Sequence, residues 1–209
     1  MSPRPRATSD AEILAATHSV VSRLGPNLTL ADVAKEAGVS PATLVQRFGS
    51  KRGLLLAFAA SGAEGLGAEF HRIRAAHRSP LAAVHGVAEC VAGMATTPEM
   101  LSNSLAFLQM DLFDPDFHKH ALIHSRGMHA GIKALLDEAV MDGELQKCDT
   151  ARLARAVQAV IGGSLLQWAI DREGKSATRI SEDLDALLRP RHCPQRDRRR
   201  VPRRKIQRA

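Results

Sequence analysis

The chain has 209 residues, 44% hydrophobic but only 3% aromatic, with no Tyr, 3 Cys and a formal net charge of +7. That length supports one large or two small domains whose cores are filled by Leu, Ala, Val and Met rather than by rings. No charged-then-apolar leader and no run approaching a membrane span is read in it, so a cytoplasmic protein is expected, and Cys90, Cys148 and Cys193 lack the spacing of a metal finger or a disulfide framework.

Alternating Val/Ile/Thr runs are missing, and proline and glycine cluster at segment edges, so the expected class is all-α with nine helices. Ser9 or Asp10 opens the first helix, with Ile13, Leu14, Thr17, Val20, Val21 and Leu24 as its buried stripe and Gly25-Pro26-Asn27 as its end. Thr29 caps a second helix, in which Asp32 adds a favourable charge and Leu30, Val33, Ala34 and Ala37 share one face. Gly38 supplies the left-handed exit. Ser40 then caps a third helix with Pro41 at its first position. Leu44 and Phe48 would pack inward, while Thr43 and Gln46 point outward, flanked by Ala42, Val45 and Arg47. A Gln at such a position suits the paired donor and acceptor of adenine. Ser50 caps a fourth helix whose N-terminus, with Lys51, makes a phosphate seat.

Two short amphipathic helices around a Gly turn, followed by a capped basic helix start, are the layout of a helix-turn-helix that reads the major groove. The run also resembles the N-terminal signature of the TetR family of bacterial transcriptional regulators, through Thr29, Val33, Ala34, Ala37, Gly38, Val39, Ser40, Thr43, Leu44, Phe48, Ser50, Lys51 and Leu54 in register. Three positions depart from that pattern: Ala42 stands where Gly is usual, Val45 replaces a common phosphate-touching Tyr, and Arg47 replaces a frequent His. The candidate DNA-contact set is Thr29, Ser40, Pro41, Ala42, Thr43, Val45, Gln46, Arg47 and Lys51. Within it, Thr43 and Gln46 are assigned to bases and Thr29, Ser40, Arg47 and Lys51 to phosphates.

The fourth helix is expected to run to about Ala76, long enough to link two modules. Ser79-Pro80 and Thr97-Pro98 open helices through about Ala95 and Phe113, and Asp114-Pro115 opens a longer one through Met141. A helix from about Thr150 to Arg172, stopped at Gly174, and a last one over Ala177 to Leu188 complete the count. The first of these two has a broad apolar face around Gly162-Gly163. In the family it resembles, the two C-terminal helices pair with their twins, which makes Leu153, Val157, Val160, Ile161, Leu165, Leu184 and Leu187 candidate dimer residues. The independent argument for a homodimer is that one helix-turn-helix covers only a half-site. The same resemblance implies an effector site, for which His85, Cys90, Met94, Phe107, Met110, His124, Met128 and Trp168 are the candidate walls of a pocket for a small apolar or amphipathic molecule.

His118, His120, His124 and His129 lie close in sequence, and His120 and His124 are one turn apart, but no H-E-x-x-H frame surrounds them and no metal ligand is assigned. No catalytic signature is found and no cofactor is implied. Charge divides unevenly: residues 1–62 carry 7 basic and 4 acidic side chains, residues 63–188 carry 12 and 17, and residues 189–209 carry 10 and 1. The expected organisation is a helix-turn-helix domain with a short basic leader over residues 1–58, an effector-binding and dimerisation domain over 59–188, and an Arg-rich tail over 189–209. Arg4 and Arg6 in the leader could reach the minor groove. The functional expectation is a homodimeric repressor, nucleoid-associated and not membrane-bound, that leaves a palindromic operator when an effector binds. The alternative is a constitutive DNA binder without effector, aided by the tail.

Overall fold

The computed structural model describes residues 8–192. Arg4, Arg6, Cys193 and the tail from residue 193 onward lie outside the described residues. Among the described residues there are nine α-helices: α1 (Asp10–Leu24), α2 (Leu30–Ala37), α3 (Pro41–Phe48), α4 (Lys51–Ala76), α5 (Pro80–Met94), α6 (Pro98–Phe113), α7 (Pro115–Met141), α8 (Thr150–Asp171) and α9 (Ser176–Leu188). Capping chemistry sets most of the starts. Ser9 forms a capping box with Glu12 and Thr29 one with Asp32, while Ser40, Ser50, Ser79, Thr97, Asp114 and Asp149 each accept from a backbone N–H of the first turn. In α3, α5, α6 and α7 a proline follows the cap, where its missing N–H costs nothing.

Two helix details differ from the sequence expectation. Leu24 ends α1 with 39% exposure instead of joining its buried stripe, because the chain leaves the helix there for the short turn Gly25–Asn27. Helix α8 stops at Arg172 rather than at Gly174, with Arg172 in the left-handed region at φ 57, ψ 28 and its N–H donating to Trp168 O.

The buried side chains form two cores. The smaller joins α1 to α4 through Ile13, Val20, Leu28, Val33, Leu44, Leu54 and Leu55, and it also contains Phe117 from α7. Phe107 and Met110 of α6 pack against the same cluster. The larger gathers α5, α7, α8 and α9 around residues such as Val84, Ile132, Leu136, Val157, Trp168, Ile180 and Leu184. The first core therefore reaches past the expected boundary at residue 58.

Helices α4 and α7 lie side by side and run parallel. Arg52 bonds to Asp116, Leu66 meets Gly127, the Phe70 ring covers Gly131, and Arg74 pairs with Glu138, in that order along both helices. Added Cβ atoms at Gly127 and Gly131 would come within 3.0 Å of Leu66 Cδ1 and 2.5 Å of the Phe70 ring, so the glycines permit the approach. At the far end of this pair Leu145 bridges to His192, and Gln146 N donates to Arg191 O at 2.8 Å.

One expectation about apolar runs is corrected. An 18-residue window within α8 reaches a mean hydropathy of 1.2, long and apolar enough by composition to cross a bilayer. Its side chains Leu153, Ala154, Val157, Ile161, Leu165 and Trp168 are buried in the larger core, which is why the run is so apolar.

Candidate nucleic-acid interface

The turn between α2 and α3 is held by four local devices. Thr29 Oγ1 accepts from Asp32 N at 3.2 Å while Thr29 N donates to Asp32 Oδ2 at 2.7 Å. Thr29 Oγ1 also donates to Asp32 Oδ2 at 2.6 Å, and this bond first, then the one from Thr29 N, holds the Asp32 carboxyl below its ordinary range. Gly38 turns the chain at φ 66, ψ 31 and donates to Ala34 O and Lys35 O. Ser40 Oγ accepts from Thr43 N at 3.1 Å and lies 2.9 Å from Thr43 Oγ1. Leu44, fully buried, nails α3 to the core beneath it. The opposite face of α3 is left to solvent: Pro41, Ala42, Val45, Gln46 and Arg47 are exposed and Thr43 is half-buried.

The cations around this face are tethered. Arg47 donates to Thr8 O at 2.6 Å and to Asp10 Oδ1 at 3.1 Å, and Lys51 Nζ donates to Pro26 O at 2.7 Å. Thr29 and Ser40 use their hydroxyls as caps. The Arg47 bonds are exposed, where such contacts are weak and a phosphate can take over the donor, while the Lys51 bond is part-buried. Behind them Gly53 sits in the first turn of α4 so close to the Phe48 carbonyl that a Cβ there would collide with backbone. Gly53 thus sets how tightly α4 closes on α3, a constraint that nothing in its sequence neighbourhood announces.

Two ties connect this unit to the rest of the chain. Asn103 Nδ2 of α6 donates to Ser22 O at 3.0 Å and Arg23 O at 2.9 Å, satisfying the last carbonyls of α1. The adjoining Gly25 has φ 57, and a Cβ on it would lie 2.7 Å from Asn103 Oδ1. Arg52 of α4 donates to both carboxylate oxygens of Asp114 at 2.9 and 2.8 Å and to Asp116 Oδ2 at 2.8 Å, with its guanidinium 5.7 Å from the Phe117 ring centre. The Arg52 bond holds the Asp114 carboxyl below its usual range, and the two carboxylates raise Arg52. Asp114 was legible as the α7 cap; its second role toward Arg52 was not.

The expected effector residues do not gather into one wall. His85 on α5 faces α9, with Nδ1 3.5 Å from Ser181 Oγ and Nε2 3.4 Å from Asp185 Oδ1. Cys90 donates to Glu69 Oε1 at 3.3 Å, and burial first, then that bond, pushes its thiol up. Met94 and His124 are exposed, Phe107 and Met110 turn to the smaller core, Met128 packs on the larger, and the Trp168 ring is buried with Nε1 donating to Gly174 O at 3.2 Å. Phe107 and Met110 stand apart from the others because α6, which packs beside α1, turns them to the smaller core. No three His, Cys, Asp or Glu side chains gather as metal ligands among the described residues.

The dimer candidates lie mostly within the protomer core. Leu153, Val157, Ile161, Leu165 and Leu184 are buried within the protomer, and Val160 and Leu187 are half-buried against the same core. The outward stripe of α8 is instead Ala159, Gly162, Gly163, Leu166 and Ile170, the two leucine and isoleucine side chains being 44% and 66% exposed. A Cβ on either glycine would meet nothing within 4 Å.

Family models match both parts of the chain: bacterial regulatory proteins of the tetR family over residues 13–58, and the C-terminal region of BetI-type transcriptional repressors over residues 81–191. The chain belongs to the TetR family. It is a DNA-binding transcriptional regulator, and TetR regulators are not enzymes. Among solved structures, a TetR regulator from Haloarcula marismortui is similar at TM-score 0.68 and 18% identity, covering 88% of this chain and 97% of its own. NemR of E. coli in its reduced form is similar at 0.69 and 15% identity, covering 88% and 98%. FadR from Bacillus subtilis, solved with stearoyl-CoA, is similar at 0.63 and 17%, covering 88% and 100%. A search of the curated proteins returns no match. The structural likenesses speak for the TetR fold, nine helices with an N-terminal helix-turn-helix.

Proposed function

We propose that this TetR regulator is a cytoplasmic homodimeric repressor that binds a palindromic operator and is released by a small apolar or amphipathic effector. The observation that carries the reading is the solvent-facing fringe of α3, where Gln46 and Thr43 stand over a helix fixed from below by Leu44. Gln46 and Thr43 read base edges, and Thr29, Ser40, Arg47 and Lys51 touch phosphates, with Pro41, Ala42 and Val45 filling the groove. The small-residue stripe of α8 supports a twin helix packing at close range, which pairs two reading units.

The functional division is residues 1–58 for reading, 59–188 for dimerisation and effector response, and the tail beyond. The two ties through Asn103 and Arg52 supply the route between them. An effector that favours one setting of α6 and α7 shifts the spacing of the α3 helices, and operator affinity falls by population shift. The apolar outer face of α6, with Leu105, Leu108, Leu112 and Phe113 exposed, and the acyl-CoA held by the similar FadR both favour an apolar effector.

Selection of bound duplexes from a random pool tests this reading. It predicts an enriched inverted repeat whose half-site centres lie about one helical turn, ~34 Å, or a multiple apart, bound with two chains for each pair of half-sites. Enrichment of no site, or binding by a single chain, contradicts it.

A further inference from the structure

We propose that Asp10 is a built-in competitor for operator phosphate: its carboxylate holds the Arg47 guanidinium in the free protein and releases it when α3 seats on DNA. The inference rests on the assignment of Arg47 to a phosphate. Arg47 lies in the last turn of α3, exposed beside Gln46. Its Nη1 makes both tethers, to Thr8 O at 2.6 Å and to Asp10 Oδ1 at 3.1 Å. Among the described residues Nη2 and Nε meet no acceptor. A carboxylate is the protein group most like a phosphate in charge and acceptor geometry, and a guanidinium takes either one in a planar, two-pronged way. Here Asp10 engages a single prong, so the pair is a weaker version of the bond that the DNA backbone offers.

The two carboxylates in the first turn of α1 have different duties. Glu12 closes the capping box, accepting from Ser9 N at 2.7 Å and from Ser9 Oγ at 2.8 Å. Asp10 takes no part in that box, and its partner among the described residues is Arg47, 37 positions away in sequence. The fold does not depend on this pair. Ile13 and Val20 are fully buried in the smaller core, and Ser19 and Arg23 bond to Glu36 of α2 at 3.0 and 2.8 Å. An exposed ion pair adds little to a helix pinned in that way. What Asp10 does reach is a cation on the face that meets DNA. Any duplex has to displace it, whatever its sequence, so the tether lowers affinity for all sites alike and leaves base preference untouched.

The test compares the full chain with Asp10→Asn, Asp10→Ser, Arg47→Gln and the double variant Asp10→Ser/Arg47→Gln. Each is titrated with the selected duplex and with a duplex of random sequence at about 50 mM salt. Both Asp10 variants are expected to bind both duplexes about two- to fivefold tighter than wild type, the range of an exposed ion pair. Arg47→Gln should weaken both duplexes at least about threefold. In the Arg47→Gln chain, Asp10→Ser should change affinity by less than about 1.5-fold, because no guanidinium is left to release. Weaker or unchanged binding by the Asp10 variants overturns the proposal, by making the pair a strut between α1 and α3 or an idle contact. An equal gain with and without Arg47 overturns it too, since Asp10 would then act only as a negative charge near the duplex. If Arg47→Gln binds both duplexes as the wild type does, the phosphate assignment has failed and the proposal falls with it. A loss in Arg47→Gln without a gain in the Asp10 variants sinks the competitor alone.

Discussion

The reading unit and the helical body are built from the same helix chemistry, yet they differ in how far local sequence determines which face is buried. Helices α2 and α3 have 8 residues each, and their caps, the left-handed Gly38 and a few apolar positions leave one possible inner face, the one through Val33, Ala34 and Leu44. Helix α8 has 22 residues and apolar side chains on most of its circumference, so the protomer core and a partner could each claim them. Composition identifies α8 as a packing helix and leaves its orientation to the neighbours α7 and α9.

The strongest way to break this comparison is at Phe117, which belongs to α7 by sequence and to the reading unit by packing. Phe117→Ala should cost about 3–5 kcal/mol in denaturant unfolding and strip DNA binding with it, although the residue lies on α7, far along the chain from α3. Retained operator binding at wild-type strength would show that Phe117 does not serve the reading unit. The neighbouring pair Leu165 and Leu166 sharpens the case for α8. Leu165→Ala should lower unfolding stability by about 2–5 kcal/mol, whereas Leu166→Ala should leave the protomer fold within about 0.5 kcal/mol and weaken self-association in sedimentation. The reverse pattern would restore the first assignment of the interface.

Smaller effects follow at the glycine and the cap. Gly131→Ala forces a methyl into the Phe70 ring and should destabilise by about 1–3 kcal/mol, read from the unfolding midpoint. Ser40→Ala removes the α3 cap and should cost about 1 kcal/mol, with a matching loss of helix protection in hydrogen exchange. The least effect is expected from pH. Asp114 has its folded-state value depressed by Arg52, so its contribution is complete above the ordinary carboxylate range, near about 4, and is lost as pH falls through the lower folded value. Asp114→Asn, lacking that contribution at every pH, should therefore flatten the acid-side fall of the melting temperature, and high salt should shrink the difference. An unchanged acid slope would show that the Arg52 tie is idle.

Much of the fold was legible because helix boundaries are local events. Ser40-Pro41, Ser79-Pro80, Thr97-Pro98 and Asp114-Pro115 each mark a start by cap and proline, and every one opens a helix. The fringe of α3 was legible for the same reason, since Leu44 and Phe48 define its inside. Contacts distant in sequence were not. Asn103 on α1 and the turn of Phe107 and Met110 toward the smaller core depend on how α6 crosses the bundle, and Arg52 on Asp114 and Asp116 depends on how α7 lies along α4, which no periodicity encodes. The effector candidates scatter by the same route: their directions are set by neighbours tens of residues away.

The central claim is that α3 reads bases while the surrounding cations only hold the backbone. On the selected duplex and a panel with each base pair changed in turn, Gln46→Ala should flatten the preference at one position per half-site, worth about 1–3 kcal/mol, and Lys51→Ala should weaken every duplex alike. If Gln46→Ala leaves the whole preference profile unchanged, α3 is not the reading helix and the account fails.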